Sequence, residues 1–335
     1  MKNKHLRRAA WISLLLFLLA GVMLLALAVG ETRFSIPELV RILRSKSGME
    51  YSIVYNIRLP RILLGLATGG ALSLSGVLLQ GIYRNPLVEP YTLGISGGAA
   101  LGVAVTIVFG LDLSLGTYML PFSGFAGALV VVFLVYFLAI GRSHFNINRM
   151  LLIGVMISFM ASSAMMLLMA ITSAENLHSI IYWTMGSLDE PDMFLIRTAL
   201  FSALSGLLIS YLFANQLNAL RLGVTRAKHL GVNTDLAIRF LFVIASLLTG
   251  ICVSIVGVIG FVGLIIPHLM RLLIGSDYRI LLLTSFIGGS IFVIACDLVS
   301  RTIIAPNELP IGVITGMVGG LVFIVVLSRS KFKIQ

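Results

Sequence analysis

Long apolar runs separated by short polar connections fill this chain, and their lengths predict helices that cross a membrane. The runs fall near 9–30, 62–80, 91–109, 118–140, 150–170, 193–214, 240–258, 261–274, 280–300 and 311–327. Each approaches the roughly 20 residues that a spanning helix needs, which predicts an all-α polytopic membrane protein with about ten transmembrane helices. Leu241–Met270 contains no Asp, Glu, Lys or Arg. It is too long for one ordinary crossing and short for two, so two helices turning near Gly257 and Gly260 fit it, and that turn returns Arg271 to the side of Arg239. The first run follows Lys2, Lys4, Arg7 and Arg8 as a signal peptide would, but it exceeds the roughly 7–15 residues of a signal core and predicts an uncleaved first helix.

The polar connections carry their own signals. Residues 31–61 form an outer loop in which Ser35-x-x-Glu38 makes a capping box over a short helix, with Pro37 in its first turn. Residues 215–239 are the one long polar interruption in mid-chain. Within them Thr225 is expected to cap a helix over Arg226–Leu230 and Gly231 to end it in a left-handed conformation, giving a compact knuckle between two spans. By these local signals alone a plain solvated connection fits equally well. A single transmembrane domain, 1–335, accommodates all of this.

Composition narrows the class. Of 335 residues 59% are hydrophobic and 11% charged, against about a quarter charged in soluble domains. The net charge of +11 lies in short loops rather than on one face of a soluble module, so it reports orientation and gives no support to a nucleic-acid partner. Arg33, Arg41, Arg44, Lys46, Arg58, Arg61, Arg197 and Arg301 fall on the outer side. The other 16 of the 24 Lys and Arg residues share the side of the N-terminus, Arg142, Arg149, Arg226, Lys228, Lys331 and Lys333 among them. Acids lean outward, as with Glu175, Asp189, Glu190, Asp192 and Glu308. Both termini and residues 215–239 are therefore expected in the cytosol.

Gly65-xxx-Gly69, Gly98-xxx-Gly102, Gly312-xxx-Gly316 and Gly316-xxx-Gly320 predict close helix contacts, because lipid gives helices no hydrophobic reason to associate. The methionines along 150–169 read as adaptable packing, and Cys252 and Cys296 as small core residues without metal or disulfide partners in sequence. No metal site is expected. The chain has no Gly-Lys dipeptide, hence no phosphate-cradling GxxxxGK[ST] loop. Asp297 is the one acid deep in an apolar run, and Arg301 four residues on is placed to pair with it. An ion-coupled carrier would show unpaired membrane carboxylates as a relay, which this sequence almost lacks. An intramembrane enzyme would need partners for His268 or Ser158, and none is evident.

Several short segments are more specific. They are RNPLVEPYTLG at 84–94, which contains Asn85, Pro86 and Gly94 and runs on into Gly97 and Gly98, and GFVGLIIPHLMR at 260–271, which contains Gly263, Pro267 and His268. The third is ELPIG at 308–312, which contains Pro310 and Gly312. With Arg58-Leu-Pro-Arg61, Ser75-Gly76 and Gln80, they resemble, over essentially the whole chain, the FecCD-type permeases of ABC importers for iron siderophores, haem and vitamin B12. The resemblance implies a type II importer permease fold with inverted helical halves, in a bacterial cytoplasmic membrane. It also implies a second permease copy or paralogue, two cytosolic ATP-binding subunits and one extracytoplasmic substrate-binding protein. No cofactor would be bound directly, since ATP would be used by the partner ATPase. The same likeness implies ATPase coupling through Arg226, Ala227, Lys228, His229, Leu230 and Gly231, and binding-protein docking through Arg58, Arg61 and Arg301. Val88-Glu89 and Pro90-Tyr91 depart from the small residue and glycine usual in relatives, which bears on pathway shape.

Overall fold

The structure is a computed structural model that describes residues 2–116, 118–139 and 147–329. Its first half runs α1 (Lys2–Ala28), α2 (Ile36–Ser45), α3 (Met49–Ser52), α4 (Leu59–Tyr83), α5 (Ile95–Val108), α6 (Leu111–Leu115), α7 (Met119–Ala139) and α8 (Ile147–Ile171). Then follow α9 (Ala174–Met185), α10 (Met193–Leu212), α11 (Ala214–Leu220), α12 (Val224–His229), α13 (Thr234–Val256), α14 (Val262–Ile274), α15 (Tyr278–Thr302) and α16 (Ile311–Arg329). No strand occurs among the described residues. Arg142, Lys331, Lys333 and the last residue of the run predicted at 118–140 lie outside them.

An apolar helix stands at each of the ten predicted runs, but among the described residues only seven helical stretches are long and apolar enough to cross a bilayer. The other three, Ile95–Val108, Val262–Ile274 and Ile311–Val326, are shorter. Backbone geometry explains the shortness of α14: Gly257 at φ +73° ends α13, Phe261 at φ +68° opens α14, and Gly275 at φ +101° closes it. The turn predicted near Gly257 and Gly260 is thus present. Two boundaries differ from the hydropathy reading. Helical structure leading into α4 begins at Met49 rather than near 62, because a π-helical stretch, Ile53–Arg58, carries the chain past Pro60 without a break. The connection at 175–192 contains α9, capped where the Ser173 side chain accepts from the Asn176 N–H. The capping box at Ser35 and Glu38 forms as predicted, with Glu38 Oε2 accepting the Ser35 N–H at 2.7 Å.

Helix α4 is the axis of the bundle, buried along nearly its whole length and packed against α10, α13, α14 and α15. Its glycines permit this. A Cβ on Gly69 would stand 2.2 Å from Gly289 O, and one on Gly76 1.9 Å from Gly263 O, so both crossings are backbone against backbone. Gly98 and Gly102 do the same for α5 against Gly127 and Ser123 of α7. The repeats in α16 behave otherwise: Gly312 abuts the carbonyls of Met185 and Val258, but a Cβ on Gly316 would meet nothing within 4 Å. The GxxxG spacing in α16 is therefore not a helix contact within this chain.

Helix α8 contrasts with α4. Met150, Gly154 and Ala161 are its buried residues, while Leu152, Met156, Phe159, Met160, Met166 and Leu167 form an exposed face at helical spacing. Met165 and Met169 pack against neighbours as expected, but Met156, Met160 and Met166 do not.

Candidate functional site

The segments singled out in the two halves of the sequence meet at one junction beside α4. Gln80 donates to Gly263 O at 3.0 Å and Leu264 O at 3.3 Å, and its Oε1 accepts from Arg271 Nη1 at 2.5 Å. Ser75 donates to Ala245 O at 2.8 Å. Tyr91 donates to Ile259 O at 2.5 Å. The Ile259, Gly263 and Leu264 carbonyls lie at the α13–α14 turn, close to where helical bonding is interrupted, and Gln80 and Tyr91 satisfy them, while Ser75 ties α4 to the middle of α13.

The remaining motif residues shape the turns around that junction. Asn85 Oδ1 accepts the Leu87 N–H at 2.9 Å, an Asx turn that leads into Pro86. Gly94, at φ +78°, passes within van der Waals reach of the Gly154 and Ser158 backbone of α8. Gly97 faces Ala161, Pro267 lies inside α14, and Pro310 O accepts the Val313 N–H at 3.1 Å ahead of Gly312. His268 sets its ring edge-on to Phe323, 6.3 Å between centroids. Gly94-Ile-Ser-Gly-Gly98 also fits the G-x-S-x-G spacing of a nucleophile elbow, but that turn needs a strand leading into it, and here a 3-10 turn, Pro90–Leu93, does so.

The knuckle is present, with one correction. Gly223 at φ +108°, not Thr225, stands at the N-cap of α12, and Thr225 lies inside the helix. The approach to the helix needs a positive φ that glycine adopts without strain and threonine does not. Gly231 at φ +81° ends the turn as predicted, its N–H bonded to Lys228 O at 3.0 Å and the Val232 N–H bonded back to Ala227 O at 3.1 Å. Ala227 is buried, whereas Arg226, Lys228, His229 and Leu230 point outward, Leu230 with 63% of its surface exposed. Lys228 and Asp235 form an exposed ion pair at 3.6 Å across the turn.

The three arginines expected on the outer surface are corrected more deeply: Arg58, Arg61 and Arg301 are only 3%, 6% and 7% exposed. Arg58 donates to the carbonyls of Leu27 at 2.6 Å and Thr32 at 2.5 Å and lies over the Phe34 ring. Arg301 pairs with Asp297 at 2.9 Å, as the i, i+4 spacing indicated. Arg61 approaches the same carboxylate at 3.5 Å and holds Glu308 in a two-pronged contact, Nη1 to Oε1 at 2.8 Å and Nη2 to Oε2 at 2.6 Å. Two cations and two anions thus balance, with Arg61, Asp297 and Arg301 buried and Glu308 reaching water, which is what makes Asp297 tolerable at that depth. Glu308 as the partner of Arg61 had no local signal, being 247 residues away. This cluster sits at the start of α4 and the knuckle beside its other end, where Gly223 approaches Arg84. Twenty-five helical residues separate the two by roughly 37 Å.

A compact bundle with an outward-facing knuckle at one end and a charge-balanced cluster at the other has the form of a permease of the ABC-transporter type. The chain belongs to the FecCD transport family, whose model matches residues 16–329. It is 37% identical to the uncharacterized ABC transporter permease protein YvrB of Bacillus subtilis, over 98% of this chain and 96% of that one. It is 38% identical to the hemin transport system permease protein HmuU of Yersinia pestis, over 84% of each. Among solved structures, an inward-facing conformation of a transporter assigned to the metal-chelate ABC type superposes with a TM-score of 0.86 at 31% identity, over 95% of this chain and 99% of that one.

Proposed function

We propose that this chain is the membrane-spanning permease subunit of a binding-protein-dependent importer that moves a bulky iron chelate inward. The observation that carries the reading is α12. It is a short, backbone-braced helix that holds an exposed leucine at its tip, a shape suited to seating in a cleft of a separate ATPase subunit and transmitting its closure to α11 and α13. ATP is used by that partner, and two such subunits serve two permease copies or paralogues. With the three shorter apolar helices counted as crossings the chain crosses ten times, and the Lys and Arg excess of its loops then supports both termini and residues 215–239 on the cytosolic side of a bacterial inner membrane. The Met-lined face of α8 then lies toward the second permease, where flexible, unbranched side chains suit a large and varied substrate. Haem or vitamin B12 is the alternative cargo.

Co-reconstitution in liposomes with the partner ATPase and binding protein tests this, with a ferric siderophore, haemin and cobalamin each offered in turn. ATP-dependent accumulation of the siderophore, insensitive to ionophores, is expected. Accumulation without ATP that ionophores abolish would instead establish an ion-coupled carrier.

Docking of the binding protein is proposed at the Arg58, Arg61 and Arg301 end. Since these guanidiniums are held within the chain, a partner carboxylate reaches Arg61 by taking the place of Glu308, which is 44% exposed. Glu308→Gln removes the competing charge, so docking should tighten several-fold and steepen in its response to salt. Unchanged or weaker binding of the partner to this variant across a salt series counts against exchange at Arg61.

A further inference from the structure

Beside α12 a cavity of about 440 Å³ is lined by Arg84, Arg221, Arg271 and His268, together with Ser276 and Tyr278. The arginines arrive from three separate places: just past α4, just past α11, and the last turn of α14. Among the described residues no carboxylate lines the cavity, and none of the three guanidiniums takes part in an ion pair. The neighbouring acid, Asp277, is engaged elsewhere: it pairs with Arg8 at 3.0 Å and accepts from Asn218 at 3.1 Å and the Arg279 N–H at 3.2 Å.

The arginines are positioned rather than loose. Arg271 is held by Gln80, whose amide is itself fixed on Gly263 O. Arg221 Nη1 donates to Ser276 O at 2.8 Å. Arg84 takes φ +50°, a left-handed conformation seldom used by arginine, which brings its guanidinium over Gly223. All of these holding contacts are to neutral groups, so the charge persists, and Arg221 lies close enough to Arg271 to repel it. The C-terminal ends of α4 and α14 offset about half an elementary charge each. Three guanidiniums therefore leave about two positive charges without compensation.

We propose that this cavity binds a phosphate-class anion, either the headgroup phosphate of an anionic lipid or a free phosphate. Planar guanidinium forks converging from three directions match the tetrahedral oxygens of phosphate, and a bound anion would relieve the repulsion between Arg221 and Arg271. The side of the membrane that the cavity faces rests on the orientation proposed above, but the site itself does not.

The test uses the full chain in detergent, with no partner or cargo, so its outcome is separable from that of the uptake assay. Thermal midpoints are measured with inorganic phosphate against sodium chloride at matched ionic strength. Retained lipid is measured by native mass spectrometry after doping with phosphatidylglycerol or phosphatidylcholine. Arg84→Gln with Arg221→Gln changes two exposed side chains and leaves the half-buried Arg271 intact. Arg279→Gln, exposed but outside the cavity, is the control. The parent should be stabilised by phosphate or retain phosphatidylglycerol selectively, and the double variant should weaken that effect at least tenfold while Arg279→Gln does not. A response to phosphate alone identifies a free anion, and a response to phosphatidylglycerol alone a lipid headgroup. The site is overturned if the parent shows neither phosphate-specific stabilisation nor selective retention of phosphatidylglycerol, or if the effect it does show is as large in the double variant or is lost equally in the Arg279→Gln control. In a separate binding measurement with the ATPase subunit added, loss of its affinity in the double variant without any anion effect also overturns the site and would assign the cavity to an acidic side chain of that partner.

Discussion

Replacing Asp297 by leucine should lower the thermal midpoint of the detergent-purified chain by roughly 5–10 °C, because removing one partner of a buried ion pair costs about 3–5 kcal/mol. Asp297 is 2% exposed and touches both Arg301 and Arg61, so its loss strands positive charge in a dry site. The two arginines are not equally affected: Arg61 retains Glu308 through two hydrogen bonds, whereas the other contact of Arg301 is a single bond to Ala26 O at 3.3 Å. The double change Asp297→Leu with Arg301→Met should therefore recover most of the loss, since an apolar pair of similar volume replaces the ions without leaving a charge unpaired. Equal midpoints for the single and double variants would mean that the stability of this end lies in helix packing and not in the charge balance.

Leu230→Asp should abolish uptake by at least tenfold while ATP hydrolysis by the assembled complex continues. Burying a leucine side chain in a partner is worth about 1.5–3 kcal/mol, and an aspartate there would lose that and bring an unpaired charge into the contact. Because Leu230 is largely exposed in the chain itself, the substitution leaves folding intact and confines its effect to the assembly. Gly231→Pro approaches the same outcome from the backbone: proline fixes φ near −65° where +81° is needed, and it removes the N–H that bonds Lys228 O. Normal uptake by a stably inserted Leu230→Asp variant would return residues 215–239 to a plain solvated connection.

Local chemistry alone determined a good part of this protein. Ten apolar runs, the Ser35 capping box, the glycine-ended knuckle and the turn at Gly257 depend on composition, periodicity and residues within a few positions of one another, and such features are legible before the chain folds. The pairing of Asp297 with Arg301 is legible for the same reason, since i and i+4 face one another on any helix. The tertiary structure decided what lies between distant segments. Gly76 against Gly263, Gln80 bridging Gly263 and Arg271, and Glu308 closing on Arg61 join residues 183 to 247 positions apart, with no trace in local pattern. Exposure was the other casualty. An arginine near a predicted helix end reads as a surface charge, yet Arg58 and Arg61 lie inside a helical stretch that starts at Met49, and they are buried by α1 and the α15–α16 connection. A GxxxG spacing reads the same in α4 and α16, but only α4 is crossed by partner helices at its glycines. Spacing places small residues on one face of a helix, and only the packed bundle determines whether anything lies against that face.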